Sequence, residues 1–476
     1  MMKIHFIYAD VNTLFYNGVH HGIASISSVL KENGHSVSLH YIKKEPSKNN
    51  ILDRIREESP DLIAFSVVTN QVNRIKIWSN WIKQEMDIPI ICGGIHATLF
   101  PEEIIGFDGV DIVCIGEGEY PLLDLANNPE RTDIKNLWIK HGNEIIKNPL
   151  RALIDPLDSL PFPDYELFDI MTILKDRDGD FSLIASRGCP FNCSYCCNHA
   201  LRNVQSGIGN YVRAQSVDYI LREIGSLLAR FPVTHLTFAD DILGFQKAWT
   251  YEFCEKYSKQ YSLEFECNAR VEMVDENLIK VLKTAKCTKV NMGIESGNEW
   301  LRKNILHRNM SNEQIINAFD IAHKYGIRTL SYNMIGLPYE TPEMVLETIN
   351  LNKRAEPDQL AISFFYPYPG TELYELCRRE GFLSNKVASN FLTDSILENL
   401  LISKNELKKL YIKFYKYSLQ RRIHSFPFFI RIFIKFAFFT LLTLFGKDGV
   451  EIMIKIYIRF FRLFAILQNK TNKGVE

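Results

Sequence analysis

The stretch SRGCPFNCSYCCNH, residues 186–199, holds four of the ten cysteines of this 476-residue chain. The spacing Cys189-x3-Cys193-x2-Cys196 can place three sulfur atoms around one face of an iron–sulfur cluster, because such clusters are held by closely spaced thiolates. Three protein ligands leave one iron of a 4Fe–4S cubane open, and an open position is typical of a reactive metal site. Cys197 adjoins Cys196, and adjacent side chains are awkward ligands for a single ion.

Two other interpretations of these cysteines stay open at this point. A structural zinc site normally uses two cysteine pairs separated by a longer loop, and the sequence has no second CxxC. A disulfide needs an oxidising compartment. The first residues, MMKIHFIYAD, predict a strand and lack the pattern of a signal peptide, so we expect a cytoplasmic protein with reduced thiols.

A second group of candidate residues follows the predicted strands of the first third. Short apolar runs such as KIHFIYA, DLIAFSVV and IPIICGG alternate with helical patterns, which predicts a doubly wound, flavodoxin-like α/β domain. Ligands bind such sheets beyond the carboxyl ends of the strands, where glycines let a backbone approach a flat ligand. Tight strand-to-helix turns are the alternative reason for glycines there. The candidates are Ser66, Gly93, Gly94, Gly116, Glu117, Gly118 and Glu119.

A third group follows the predicted strands of the middle of the chain. The runs THLTFAD, LEFECNAR, TKVNMGIES, RTLSYNMIG and LAISFFYPYP, with FSLIAS before the cysteines, predict six β/α units. Active sites of β/α barrels lie at the carboxyl ends of their strands. Helix N-caps and salt bridges at the barrel rim are the alternative roles for acidic residues there. The candidates at these ends are Asp240, Asp241, Arg270, Glu295, Ser296 and Gly336.

Composition divides the chain into four segments. Residues 131–180 contain LIDPLDSLPFPDYELFD, which is rich in proline and has no helical period, so we predict an extended linker. From residue 401 onward fifteen Lys or Arg stand against four Asp or Glu, a balance of +11 in a chain of net charge −1. The predicted segments are the first domain at 1–130, the linker at 131–180, a partial barrel at 181–385 and a helical, basic C-terminal region at 386–476.

The C-terminal region has two interpretations. Its longest charge-free run, residues 436–446, is eleven residues long, whereas a membrane span needs about twenty. Lys455, Arg459 and Arg462 share one helix face, and a basic amphipathic helix suits an anionic membrane surface. The alternative is that the helices of this region dock on the barrel and close its open side.

Residues 1 to about 130 resemble the cobalamin-binding domain that occurs fused to radical S-adenosylmethionine (SAM) enzymes. The resemblance is carried by Ser66-Val67-Val68, by Gly93-Gly94 after 24 intervening residues, and by GGIHATLFPEE and DIVCIGEGEYPLL. It implies that Ser66 hydrogen-bonds the dimethylbenzimidazole tail of cobalamin and that the glycines admit this tail into the sheet.

The loop after the first strand departs from the methionine-synthase type of that domain. In that type an Asp-x-His-x-x-Gly loop supplies a histidine ligand to cobalt. Alignment on Gly22 places Asn17 and Val19 at the aspartate and histidine, while His20 and His21 lie out of register. The resemblance therefore implies cobalamin bound without a protein histidine, and spacing leaves open whether His20 or His21 reaches cobalt.

The CxxxCxxC run, with Tyr195 before its last cysteine, resembles the signature of the radical SAM superfamily. The resemblance implies that Cys189, Cys193 and Cys196 ligate a 4Fe–4S cluster, that SAM binds the vacant iron and that Cys197 is a bystander. It also implies a partial (β/α)6 barrel.

The same resemblance assigns roles in SAM binding. Asp240 and Asp241, in FADD, stand where other members carry a Gly-Gly-Glu run that grips the methionine amine. Arg270 and Glu295 correspond to contacts with the carboxylate and the ribose. MIGLPYE, which contains Gly336, and YPYPGTEL resemble the strand ends that contact adenine.

Both resemblances together imply a cobalamin-dependent radical enzyme. A 5′-deoxyadenosyl radical would take hydrogen from an unactivated carbon of a small-molecule or lipid-like substrate, and methylcobalamin would supply a methyl group. The alternatives are a radical cyclase or rearrangement enzyme without methyl transfer, and a sensor, for which an open iron has no use. We expect an external electron donor of the flavodoxin or ferredoxin type, peripheral membrane contact through the tail as one interpretation, and no nucleic-acid partner.

Overall fold

The computed structural model describes residues 1–11, 18–243, 245–384, 395–398 and 400–423. The predicted amphipathic helix of the C-terminal region lies outside these residues. Two open sheets, one in each half of the chain, organise the described structure. The strands of the first half are β1 (Lys3–Ala9), β2 (Ser36–Ile42), β3 (Leu62–Ser66), β4 (Ile90–Gly93), β5 (Ile112–Cys114), β6 (Leu137–His141) and β7 (Glu144–Lys147).

The first sheet has the order β2-β1-β3-β4-β5-β6-β7. β1 to β5 are parallel, and the order 2-1-3-4-5 is that of a flavodoxin-like doubly wound sheet, so the predicted fold is confirmed. Helices cover both faces, which is why the strands are nearly continuous apolar runs. These helices are α1 (His21–Glu32), α2 (Lys48–Glu58), α3 (Val72–Lys83), α4 (Ile95–Leu99), α5 (Pro101–Ile105) and α6 (Glu119–Asn127).

The segment predicted to be an extended linker, residues 131–180, contains part of the first sheet. β6 pairs antiparallel with β5, and β7 pairs antiparallel with β6. Leu137 and Ile139 are buried in the core, so burial of this short hairpin extends the first unit beyond residue 130. The proline-rich stretch that follows has no strand and leads to α7 (Ile170–Asp176).

The second sheet consists of six parallel strands in the order β8-β11-β12-β13-β14-β15, and a two-stranded ladder, β9 with β10, stands apart from it. Each strand of the large sheet lies beside its successor, as expected for β/α units, and the sheet forms the predicted partial barrel. The strands are β8 (Asp180–Leu183), β9 (Ser186–Arg187), β10 (Arg213–Ala214), β11 (His235–Phe238), β12 (Glu264–Ala269), β13 (Cys287–Glu295), β14 (Arg328–Ile335) and β15 (Gln359–Phe364).

Side chains alternate across the barrel strands. In β12, Phe265 and Cys267 are fully buried, whereas Glu266 and Asn268 are half-buried. The buried set packs under the outer helices, and the polar set faces the other side of the sheet. The helices are α8 (Cys197–Val204), α9 (Val217–Arg230), α10 (Lys247–Gln260), α11 (Glu276–Thr284), α12 (Asn312–Lys324), α13 (Pro342–Ala355), α14 (Glu372–Arg379) and α15 (Lys404–Ile423), with a π-helical turn at Leu301–Ile305.

The two units meet beside the cysteines. α4, which follows Gly94, packs against α8, which begins at Cys197. The carboxyl ends of the first sheet are therefore brought next to the cysteine loop of the second unit.

α15 confirms a helix in the basic C-terminal region. It packs on β15 and α13, and its buried residues Leu407, Leu410 and Phe414 join the cluster formed by Ile335 and Leu360. The described part of this region thus docks on the outer face of the edge strand. Among the described residues, no helix combines the length and hydropathy that crossing a membrane requires.

Docking of α15 predicts a stability effect. Phe414 has no exposed surface, and Phe414→Ala should destabilise the barrel by about 3–5 kcal/mol, the usual result of truncating a buried phenylalanine. The guanidinium midpoint of the barrel transition measures the effect. Lys413→Ala, an exposed neighbour on the same helix, should change stability by less than about 0.5 kcal/mol. Equal midpoints for the two variants would contradict the docking.

Candidate functional site

A cavity of about 410 Å³ lies between the two units. One wall is made by the carboxyl ends of the first sheet and the other by residues around the cysteine loop. Residues of the first wall include His20, Ser66, Gly93, Gly94, Gly116, Glu117, Gly118 and Glu119, and those of the second include Ser186, Arg187, Gly188, Asn198, Gln205, Tyr211 and Arg213. All seven candidate residues of the first third therefore line one cavity.

Gly94 forms a close crossing between two loops. Its φ is +95°, and an added Cβ would lie 2.8 Å from the backbone nitrogen of Val67 and 2.9 Å from Oγ of Ser66. A side chain at this position would push into the loop after β3, so the glycine keeps the cavity floor flat. Such a floor fits the planar tail of cobalamin.

Ser66 is held by a histidine at the start of α1. Nδ1 of His20 accepts the Ile23 amide at 3.1 Å, and its Nε2 therefore donates to Oγ of Ser66 at 3.0 Å. Burial lowers the pKa of His20 to about 4, so the ring is neutral at pH 7. Nε2 of His21 lies 3.3 Å from Oγ of Ser182. Both histidines thus have partners within the protein.

The start of the cysteine loop is anchored by Asp240. Its carboxylate accepts the Ala185 amide at 3.1 and 3.0 Å and the hydroxyl of Ser186. Burial raises the pKa of Asp240 to about 6 despite these bonds, which leaves it mostly ionised at pH 7. Asp240 therefore shapes the loop in this structure, whereas Asp241 is exposed at the same strand end.

Arg270 contacts the second cysteine. Its Nη1 donates to Sγ of Cys193 at 3.1 Å, and the guanidinium lies 3.9 Å from the ring centroid of Phe191. Glu272 accepts from Nε and Nη2 of the same side chain. Arg270 therefore places a positive charge beside one of the three predicted cluster ligands.

The third cysteine is favoured as a thiolate by its neighbour. A hydrogen bond from Cys197 lowers the pKa of Cys196 to about 7, and the amide of Asn198 at the start of α8 acts in the same direction. The same bond raises the pKa of Cys197 well above its usual range, so Cys197 is the protonated donor. Burial raises the pKa of Cys189 to about 11.

The donor set fits a cluster better than a single ion. Within the described residues, no three His, Cys, Asp or Glu side chains are placed to hold one metal ion. Each thiolate of a cubane binds a different iron, so its ligands stand farther apart than those of one ion. Three cysteines on one loop, with Arg270 beside Cys193, suit that arrangement.

Tyr195 links the cysteine loop to the end of β13. Its hydroxyl donates to Oε1 of Glu295 at 3.2 Å, and Arg308 lies 3.2 Å from that hydroxyl and 3.7 Å from that carboxylate oxygen. Burial raises the pKa of Glu295 although Arg308 opposes the shift. Glu295 also has a φ of +65°, a conformation that costs energy and recurs at functional sites.

The other two barrel candidates lie apart from the cysteines. Ser296 is fully buried, and its Oγ accepts the Asn298 amide at 3.3 Å. Gly336 lies under α15, where an added Cβ would meet Cδ2 of Leu407 at 2.9 Å. Its amide donates at 2.6 Å to Glu340, whose buried carboxyl has a pKa raised to about 8 by burial.

Two family models match the chain. The model of the B12 binding domain matches residues 9–126, which contain the first wall of the cavity. The model of the radical SAM superfamily matches residues 183–351, which contain the cysteine loop and most barrel strands. The chain therefore contains a cobalamin-binding domain and a radical SAM domain. The predicted cofactors of the family are thereby confirmed as a 4Fe–4S cluster, SAM and cobalamin.

Relatives of this radical SAM enzyme span both predicted activities. An uncharacterised methyltransferase of Pyrococcus horikoshii is 25% identical over 83% of this chain and 87% of its own length. The anaerobic magnesium-protoporphyrin IX monomethyl ester cyclase of Cereibacter sphaeroides is 24% identical over 81% of this chain and 64% of its own length.

A solved structure shares the fold. The radical SAM methyltransferase TsrM of Kitasatospora setae, with cobalamin and a [4Fe–4S] cluster bound, superposes with a TM-score of 0.66 at 16% identity. The match covers 81% of this chain and 76% of that one. The two chains therefore share the fold of both units.

Sequence reasoning identified Arg270 but missed three other arginines of the site. Arg187 and Arg213 bind Glu117, and Arg308 binds Tyr195. Arg187 stands within the cysteine stretch, but an isolated arginine carries no pattern that distinguishes it from a surface charge. Their partners are 70 to 113 residues distant in sequence, so only the fold reveals them.

The cysteine roles predict a difference among four single variants. Alanine at Cys189, Cys193 or Cys196 should abolish the cluster and the cleavage of SAM, because each of these cysteines is a predicted iron ligand. Cys197→Ala should retain the cluster, since it removes only a hydrogen-bond donor. Iron and sulfide analysis after anaerobic reconstitution measures the result. Equal iron loss in Cys197→Ala would overturn the assignment.

The Gly94 crossing predicts a loss of cobalamin. Gly94→Ala should lower the affinity for cobalamin about tenfold or more, because the strain of a left-handed alanine and its clash with Val67 displace the cavity floor. Cobalt retained after gel filtration measures the effect. Gly142→Ala is the matched control, since it has a φ of +60° but no atom within 4 Å of the added Cβ. Equal cobalt retention in both variants would contradict the role of Gly94.

Proposed function

We propose that this protein is a cobalamin-dependent radical SAM methyltransferase that methylates an unactivated carbon of a small molecule. The observation that carries the proposal is the shared cavity. Gly94 and Ser66 form one side of it, and Ser186, Arg187 and Asn198, which flank the cluster cysteines, form the other. A cobalamin lying on the glycine side would face the cysteine loop without an intervening element.

The cofactors supply a carbon radical and a methyl group when bound, and the protein supplies their placement. Ser66 would bond the cobalamin tail, with its hydroxyl oriented by His20. Cys189, Cys193 and Cys196 would hold the cluster, with Arg270 donating a hydrogen bond to the sulfur of Cys193.

SAM would lie beside the cysteine loop at the carboxyl end of the barrel. Arg270 and Glu295 are the proposed contacts to its methionine and ribose groups, since both side chains reach residues of the loop. Asp241 is the exposed carboxylate at the place of the methionine-amine contact. Asp240 has a scaffold role in this proposal, because its oxygens already accept from Ala185 and Ser186.

A cyclase is the second candidate, favoured by the similarity to the magnesium-protoporphyrin ester cyclase. Methyl transfer ranks first because the methyltransferase of Pyrococcus horikoshii matches along nearly its whole length. Radical SAM enzymes need an electron donor, and a flavodoxin or ferredoxin is the proposed one. Contact of the basic tail with a membrane, and a lipid-like substrate with it, remain predictions about residues 424–476.

Product analysis separates the two candidates. The reconstituted enzyme, with reductant, cobalamin and methyl-labelled SAM, should convert its substrate in a metabolite extract with release of both 5′-deoxyadenosine and S-adenosylhomocysteine. Both appear because two SAM molecules meet different fates, and the label should enter the product. Mass spectrometry follows all three species, and Cys193→Ala is the control without a cluster. Turnover that releases 5′-deoxyadenosine alone would identify a cyclase.

A further inference from the structure

Glu117 and Glu119 line the cavity, but their carboxylates bind arginines of the second unit. Arg187 donates to Oε1 of Glu117 at 2.7 Å and to Oε1 of Glu119 at 2.6 Å. Arg213 donates to Oε1 and Oε2 of Glu117 at 3.0 and 3.3 Å. We call these four residues, Glu117, Glu119, Arg187 and Arg213, the interdomain clasp.

Two residues of the interdomain clasp are nearly fully buried, and all four are paired. Glu119 is 3% exposed and Arg213 is 6% exposed. Burial alone would raise the pKa of Glu119, but the charge and hydrogen bond of Arg187 outweigh it and keep the pKa below the usual value. Ser25 donates a further bond to Glu119 at 2.8 Å, and the Ile154 amide donates one to Glu117 at 2.8 Å. Buried charges with this many partners define a geometry more than they add net stability.

The interdomain clasp connects directly to the first cluster cysteine. Arg187 is separated from Cys189 by Gly188 alone, whose φ is +82° and whose Cα has no room for a side chain, since an added Cβ would lie 2.5 Å from the carbonyl oxygen of Tyr211. Arg187 also pairs with Arg213 in the β9–β10 ladder. A displacement of Arg187 would therefore move the start of the cysteine loop.

The other end of the clasp belongs to the cavity wall. Gly116 and Gly118 alternate with the two glutamates on one loop and line the cavity. An added Cβ on Gly116 would lie 2.7 Å from Nε2 of Gln205, the residue that ends α8. The loop thus touches the second unit on both sides of the cluster cysteines.

We propose that the interdomain clasp positions the iron–sulfur cluster relative to the cobalamin site. Two cofactors that act on one substrate must keep a fixed separation, because misplacement of reacting groups by about 1 Å can cost about a hundredfold in rate. Arg187 and Glu119 are positioning residues in this proposal, since neither contacts a cluster cysteine. The inference rests on the two-cofactor site of the proposed function, and not on which reaction follows.

The test uses the full chain loaded with cluster and cobalamin, without substrate. Arg187→Gln should broaden the magnetic dipolar interaction between cob(II)alamin and the reduced cluster in pulsed electron paramagnetic resonance. It should also speed hydrogen exchange of residues 186–196 about tenfold, as expected for loss of a charge-assisted bond. Iron and cobalt contents should stay those of the wild type.

Arg151→Gln is the matched control. Arg151 is 28% exposed and Arg187 is 29% exposed, and Arg151 pairs with Asp124 inside the first unit. This control should leave the dipolar interaction and the hydrogen exchange of residues 186–196 unchanged.

The proposal would be overturned if Arg187→Gln showed the same dipolar interaction and the same hydrogen exchange of residues 186–196 as the wild type. If that variant retains no cofactor, the same two measurements are made on Arg187→Lys and Glu119→Gln. These variants should show a broadening between that of the wild type and that expected for Arg187→Gln. Wild-type values in both would refute the proposal. A broadened interaction together with a cyclase product pattern would refute the methyl transfer and leave the positioning role standing.

Discussion

The buried carboxylate of Asp240 is the contact on which the cysteine loop depends. It lies just after β11 and binds the backbone just after β8, so neighbouring barrel strands deliver the loop to one place. Asn268 adds a hydrogen bond to the carbonyl of Asp240 at 2.9 Å, which brings the end of β12 into the same network. An unpaired carboxylate in such an environment would be costly, and its pairing with Ala185 and Ser186 therefore favours one loop conformation.

Positive charge surrounds the loop that this contact begins. Arg270 approaches Cys193 while its charge is shared with Glu272, and Arg308 is close to Tyr195 on the same loop. Their guanidinium groups offset the negative charge that thiolates bring to a partly buried site.

The cavity has the charged cysteine loop on one side and an uncharged surface on the other. On the sheet side, glycine backbone, Ser66 and the uncharged ring of His20 form the surface. The carboxylates of that side, Glu117 and Glu119, are neutralised by arginines of the opposite unit. The cavity thus has a flat, weakly polar wall that suits a large planar ligand and a charged wall beside the predicted cluster ligands. The interdomain clasp joins these two walls.

The sequence by itself determined both fold classes, and it predicted the three cluster cysteines and the glycines that line the cavity. These features are local. Strand and helix periods span a few residues, and the cysteines lie within nine positions. A glycine at a strand end indicates a tight turn or a close approach of the backbone to another group. The hairpin of β6 and β7 was missed, because its strands are short and their burial depends on pairing with β5.

Only the tertiary structure decided which charged residues act together. Glu117 and Glu119, which were predicted to bind a cofactor, line the cavity and also bind arginines that lie 68 to 96 residues away. Asp240 accepts hydrogen bonds from the loop backbone. A charged side chain takes its role from whatever partner the fold brings within about 3 Å, and no local pattern encodes that partner. The two fold classes of this enzyme could thus be predicted from the sequence, whereas the electrostatic pairings that join its two units depend on the assembled fold.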